Sequence, residues 1–288
     1  MSTPSKEQDE LIRGFIASLP RCPLYGEKGL RSANLASARL VQIAHEGKWA
    51  VEETVGMVSG HFHWIIALHD KSNPYGMVAA GYLLEKVNTF IQRLGIGSVV
   101  IGDARLAVTF AEEIAAAPDR EEPICIICYG VPDATVQPTE RLPGEMLFYR
   151  NEWGTPIGST SLLARFLKEP LSAVVPGADL RVSRSDVAPY ARCLEAVRRA
   201  HSAFNKQPWR IVACKNTVTR GLMFHLFKMH NDPWVGIDMG IAMADWEMVA
   251  TETRNLGKWV VLDPSPSVYN VDVSAVYVAT WVDLRPKL

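Results

Sequence analysis

The elements encoded in the first part of this chain return, in the same order, in the second part. A shift of 162 positions lays one set on the other. Phe62-His63 falls on Phe224-His225, Met77 on Met239, Leu94-Gly95 on Leu256-Gly257 and Val99 on Val261. Four matches at one register, inside corresponding elements, point to an internal duplication. Chance similarity of two α+β segments is the alternative. Two copies of a half-domain can pack as the subunits of a symmetric dimer do, about a pseudo-two-fold axis. The expectation is therefore an α+β chain of two diverged halves, residues 1–148 and 149–288. They would form a pseudo-dimer within one chain, which would then be a monomer.

The element reading is as follows. The first ten residues, MSTPSKEQDE, are expected to fray. A helix over Glu10–Ser18 stops before Pro20, and a second helix is expected over Ser32–His45. HFHWIIALHD reads as a strand and NPYG as a turn. A long helix starts near Tyr75 and stops at the glycines of LGIGS. SVVIGD, ICIICYGV and MLFYR read as short strands. In the second part a helix is expected over Val187–His201, strands at RIVAC and GLMFHLFKMH, and a helix over Ile237–Arg254. KWVVLD and AVYVATWV close the chain as strands.

Composition narrows the partners. Hydrophobic residues make up 48% of the 288, enough to bury a sizeable core. The formal net charge is -1, with no block of like charges, which argues against nucleic acid as a partner. No apolar run is long enough to span a bilayer, and the polar N-terminus lacks the features of a signal peptide, so the expected location is the cytoplasm. The eight tryptophans are scattered without a basic stripe, and core packing is their expected role. Cys125 and Cys128 form a lone C-x-x-C pair within an apolar run, read as a buried strand rather than a redox or metal motif. His61 and His63, with His69 and Asp70 nearby, leave open a metal-dependent reading, because H-x-H on a strand puts both rings on one face.

The two parts differ most at HSAFNKQPWR, residues 201–210, where the first part has RLVQIAHEGK. Ser202, Asn205 and Gln207 together offer hydroxyl and amide groups that donate and accept. A planar heterocycle with carbonyls and ring nitrogens needs such a set. Pro208 would fix the turn and Trp209 would anchor it.

This segment resembles the A-P-S-x-x-N-x-Q-P-W signature of the nitroreductase family, in particular its tandem branch with both pseudo-subunits in one chain. Residues 81–103 and 236–259 resemble the helices and glycine turns of the two halves. The resemblance implies the nitroreductase fold, with mixed sheets flanked by helices. It also implies FMN between the halves, reduced by NAD(P)H and reoxidised by a nitroaromatic, a quinone or a related small molecule. No dedicated catalytic acid or nucleophile is implied. Ser202, Ala203 and Asn205 would contact the flavin, with Gln207 close by. Gly102 and Asp103 would place backbone N–H groups near the flavin N5, and Arg141 would bind the phosphate.

His201 stands where the family has proline, to face the flavin edge or to cap the helix end as a cation. Of the family's opening arginine signature, Arg21 is the one candidate that remains. That departure leaves a second reading open: a protein of the same fold, with weak or no FMN binding, acting as a ligand-binding or regulatory protein.

Overall fold

The computed structural model describes residues 1–19, 24–26 (backbone), 38–44, 59–102, 114–115, 119–132, 139–158, 181–216, 219–229, 231–262 and 270–284. The chain divides into two compact units. The first comprises Met1–Cys22 and Ala33–Thr139; the second comprises Glu140–Leu288 together with Pro23–Ser32.

Helix α1 (Lys6–Ser18) opens the first unit, four residues earlier than the periodicity suggests. A reciprocal cap sets its start. Ser5 Oγ accepts the Gln8 N–H at 3.2 Å, and Gln8 Oε1 accepts the Ser5 N–H at 2.9 Å. The N-terminus is not frayed: Ser2 exchanges two backbone bonds of 2.9 Å with Val131. Strand β1 (Leu24–Gly26) belongs to the sheet of the second unit.

The helix expected over Ser32–His45 is contradicted where the chain is described, because Ala38–Ile43 forms strand β2. It pairs antiparallel with β3 (His63–Asp70) along its whole length, from Ala38 opposite His69 to Ile43 opposite Trp64. Leu40, Val41 and Ile43 suit either periodicity in so short a run, and pairing with a neighbouring strand decides the outcome. Strand β3 is buried at every position. Helix α2 (Gly76–Arg93) packs on β2 and β3. Strands β4 (Gly97–Ile101) and β5 (Glu121–Gly130) complete a four-stranded sheet in the order β2-β3-β5-β4, antiparallel throughout. Trp64, Ile66 and Leu68 pack with Ile126 and Cys128 in its core. Cys125 and Cys128 are buried on β5 and form no disulfide, and burial pushes the Cys128 thiol well above its usual range.

The second unit holds β6 (Phe148–Arg150), β7 (Glu152–Pro156), α3 (Arg184–Val187), α4 (Ala191–Arg199), β8 (Trp209–Lys215), β9 (Leu222–Lys228), α5 (Val235–Glu252), β10 (Gly257–Val261) and β11 (Val276–Asp283). The single helix expected over Val187–His201 is broken into α3, a tight turn at Ala188–Tyr190, and α4. Pro189 falls in that turn and has no N–H to give a continuing helix.

The seven strands run β1-β10-β11-β9-β8-β6-β7. The β1–β10 and β6–β8 pairs are parallel and the others antiparallel, so the sheet of this unit is mixed, unlike that of the first. Helix α5 buries residues on nearly every side, among them Met239, Ile241, Met243 and Trp246. The Trp246 ring lies within 6.2 Å, centroid to centroid, of Tyr190, Phe224, Trp259 and Trp281. A Cβ at Gly257 would sit 2.4 Å from the Trp281 ring, so only glycine fits there.

Strand order is the same in the two units: β2-β3-β5-β4 with α2 between β3 and β4, and β8-β9-β11-β10 with α5 between β9 and β10. The caps match as well. Asn73 Oδ1 accepts the Tyr75 N–H at 2.9 Å, and Asp232 Oδ1 accepts the Trp234 N–H at 3.0 Å. At the other end Gly95 (φ 74°) donates to Gln92 O, and Arg254 (φ 57°) donates to Thr251 O. Asn73 to Asp232 and Gly95 to Arg254 are each 159 positions. The register of 162 is therefore three positions out over these helices. Met77 with Met239, and Leu94-Gly95 with Leu256-Gly257, are not structural equivalents. Among the described residues no helix is long and apolar enough to cross a membrane.

Candidate functional site

Helix α4 ends where Ala200 N–H closes the last turn on Ala196 O and Val197 O. The chain then turns sharply before β8. Ser202 is extended, Ala203–Asn205 make one 3-10 turn, and Pro208 leads into Trp209, which is fully buried. Three non-glycine residues adopt left-handed backbone here: Phe204 (φ 53°), Asn205 (φ 55°) and Gln207 (φ 48°). Such conformations cost roughly 1–2 kcal/mol per residue and persist only where the surroundings impose them. Phe204 is 82% exposed, so packing of its ring does not impose them.

Hydrogen bonds do. Ser202 Oγ accepts the Gln207 N–H at 2.9 Å, and Ser202 O accepts the Asn205 N–H at 3.0 Å. Gln207, fully buried, accepts the Leu142 N–H through Oε1 at 2.7 Å and donates from Nε2 to Asn205 O at 3.1 Å. Asn205 donates from Nδ2 to Glu140 O at 2.9 Å, and its Oδ1 accepts from Arg141 Nη1 at 2.9 Å. Arg141 also donates from Nε to Arg199 O at 3.2 Å. The turn is thus stitched to residues 140–142 and to the end of α4.

Of the residues singled out from sequence, the structure brings Arg141, His201, Ser202, Ala203, Asn205 and Gln207 into one cluster of the second unit. The amides of Asn205 and Gln207 are engaged within the protein, so they shape the turn. Gly102 is a half-buried bend after β4, in the first unit. Arg21 and Asp103 lie outside the described residues.

The cluster is cationic. Burial lowers the pKa of Arg141, and the charges of Arg198 and Arg199 lower it further. Arg198 is paired with Glu195 at 2.7 and 2.8 Å, whereas Arg199 is exposed. An anion placed beside Arg141 would relieve this repulsion. The surroundings of His201 work against a cationic helix cap. Burial lowers its pKa and the Arg141 charge acts in the same direction, with Asp245 opposing.

Sequence reading missed Asp238, in the first turn of α5. It is 2% exposed, and its Oδ1 accepts the Ala203 N–H at 2.9 Å. Burial raises its pKa to about 7, opposed by that hydrogen bond. The signal was present: Asp238 is a lone acid in the run VGIDMGIAMA.

The histidines of the metal reading serve other contacts. His63 Nδ1 lies 3.0 Å from Asp9 Oδ2, and Asp9 Oδ1 accepts from Tyr129 Oη at 2.8 Å. His69 Nε2 lies 3.0 Å from Glu122. Asp70 accepts from Ser72 at 2.6 Å and from Arg120 Nε at 2.9 Å, bonds that hold its pKa near 2, and His61 is exposed. Among the described residues no group of three such side chains converges.

No sequence profile of a known family matches the chain, and no curated protein matches it. Solved structures do. A protein of Anabaena variabilis, provisionally named a nitroreductase, superposes with a TM-score of 0.54 at 11% identity, covering 100% of this chain and 90% of that one. A provisionally named nitroreductase of Thermotoga maritima superposes with a TM-score of 0.50 at 15% identity, covering 99% and 90%. Both alignments run through the two units. The strand order, the mixed α+β content and these superpositions agree on the architecture: the chain has a nitroreductase-like fold.

Proposed function

We propose that this protein is an FMN-dependent oxidoreductase that takes two electrons from NAD(P)H and passes them to a nitroaromatic, a quinone or a related small molecule. The observation that carries this reading is the Ser202–Gln207 turn: left-handed backbone at three non-glycine residues, stitched beside a cationic Arg141, on a nitroreductase-like fold. Strain held in place by hydrogen bonds is a mark of functional segments. The residues fit the group at its phosphate end, where Arg141 would hold the anion with Arg199 adding charge. Ser202 keeps a hydroxyl proton to donate to a ring edge, and the turn sets where that edge would lie. When bound, FMN supplies a two-electron store; the chain supplies binding and orientation.

On this reading residues 1–148 and 149–288 are two diverged nitroreductase-like halves of a tandem protein, with one chain serving as its own pseudo-dimer. Buried cysteines outside any disulfide at Cys125, Cys128, Cys193 and Cys214 suit the reducing cytoplasm.

A second reading has its own support. The amides of Asn205 and Gln207 are committed to residues 140–142 and to the turn itself, which leaves fewer groups for a flavin ring. On that reading the protein binds another anionic ligand and performs no redox chemistry. The absorption spectrum of the purified protein, followed by titration with FMN and assay of NAD(P)H oxidation, separates the two. A flavin band near ~450 nm with nitroaromatic-dependent NAD(P)H consumption supports the oxidoreductase. Absence of FMN uptake refutes it.

A further inference from the structure

Asp238 is an expensive residue to keep. The turns of α5 around it are buried and apolar. Its Oδ1 has one donor, the Ala203 N–H, and among the described residues no donor reaches the buried Oδ2. A buried carboxylate with one oxygen unsatisfied is disfavoured against any apolar side chain of similar size. What it contacts is the backbone just before Phe204 and Asn205, where the left-handed path begins.

We propose that Asp238 is a positioning residue for the candidate site: it fixes the Ser202–Gln207 turn through Ala203, so that Asn205 holds the Arg141 guanidinium in place. This rests on reading that turn as the ligand-binding segment. The route is short and lies wholly in the second unit. Asp238 Oδ1 accepts from Ala203 N–H at 2.9 Å, Ala203 and Asn205 share one 3-10 turn, and Asn205 Oδ1 accepts from Arg141 Nη1 at 2.9 Å. Without the acceptor, the Ala203 N–H loses its partner and the left-handed residues lose one of the contacts that impose their conformation. Lys206, bonded to Asp232 at 3.1 Å through its side chain, clamps the far side of the turn, and its own N–H donates to Ala203 O at 3.2 Å, which leaves the Ala203 N–H to Asp238.

The test compares wild type, Asp238→Asn and Asp238→Ala by amide hydrogen exchange, without ligand. Peptides covering Ser202–Gln207 are read against peptides from β8 and β9. In Asp238→Ala, exchange in the turn should rise at least tenfold while the strands stay unchanged. Asp238→Asn, whose side-chain oxygen can accept the same N–H, should remain within threefold of wild type. A turn that exchanges equally in all three, or as fast in Asp238→Asn as in Asp238→Ala, overturns the proposal. If Asp238→Ala does not fold, Asp238→Leu replaces it under the same criterion, and the asparagine comparison stands by itself. FMN titration of the same proteins should show a dissociation constant at least tenfold higher in Asp238→Ala, restored in Asp238→Asn. A wild type that takes up no FMN refutes the flavin reading, whereas the exchange result decides the role of Asp238 independently.

Discussion

Asp238→Asn should make the protein more stable above neutral pH and leave it little changed in mild acid. The ordinary aspartate value is 3.8, and burial raises that of Asp238 to about 7. The carboxyl therefore favours the folded state below pH 3.8, and that contribution is lost as pH rises through 7. Three units correspond to about 4 kcal/mol at ~1.36 kcal/mol per unit. Almost no solvent screens the group, since it is 2% exposed. Against this, asparagine brings an amide N–H group into the buried place of Oδ2, a desolvation cost of about 1 kcal/mol. The net gain at pH 8 is then about 2–3 kcal/mol, falling toward zero by pH 5. For a chain of this size that is a rise of roughly 5–10 °C in the thermal midpoint. Scanning calorimetry of both proteins at pH 5 and pH 8 measures it. Equal differences at the two pH values would show that folding does not raise the Asp238 pKa above its ordinary value, and the reasoning would fail.

Three other substitutions probe the site and its support. Arg141→Ala removes a partner of Asn205 and the proposed phosphate ligand; FMN affinity should fall at least tenfold, since one charge-assisted hydrogen bond contributes about 1.5–3 kcal/mol. Isothermal titration reads it, and unchanged affinity would remove Arg141 from the site. Gln207→Ala removes a buried side chain and leaves the half-buried Leu142 N–H without that acceptor, and should cost about 1–3 kcal/mol in urea unfolding. Gly257→Ala forces a Cβ against the Trp281 ring and should destabilise by about 1–3 kcal/mol, with a change in the near-ultraviolet circular dichroism of the tryptophan cluster.

The long elements were legible because their apolar residues recur over many turns or fill an entire strand. Helices α2 and α5 and strands β3 and β5 all fall where the pattern put them. Strand β2 was misread because five residues of Arg-Leu-Val-Gln-Ile satisfy either period, and its partner β3 lies twenty residues further on. Strands β1 and β7 are too short to carry a pattern. The Ser5-x-x-Gln8 cap was visible in the sequence and passed over.

At the candidate site, residue types in HSAFNKQPWR pointed to a turn before β8, which the structure has, but not to the use of its amides. That use depends on Glu140, Arg141 and Leu142, some sixty residues earlier. The two units share a strand order, but the register of 162 read from sequence is three positions out over helices α2 and α5, whose ends use Gly95 in one unit and Arg254 in the other.

Strand β1 makes the second sheet depend on a stretch of chain synthesised long before the rest of it. Leu24–Gly26 must wait for Trp259–Val261, the partner that covers it. A ring closure of that span is slow to form. Cutting the chain after Thr139 would yield a C-terminal piece with the β10 margin uncovered, a template for self-association. Within the intact protein, that same margin could accept the corresponding strand from a second molecule during refolding, giving exchanged dimers at high concentration.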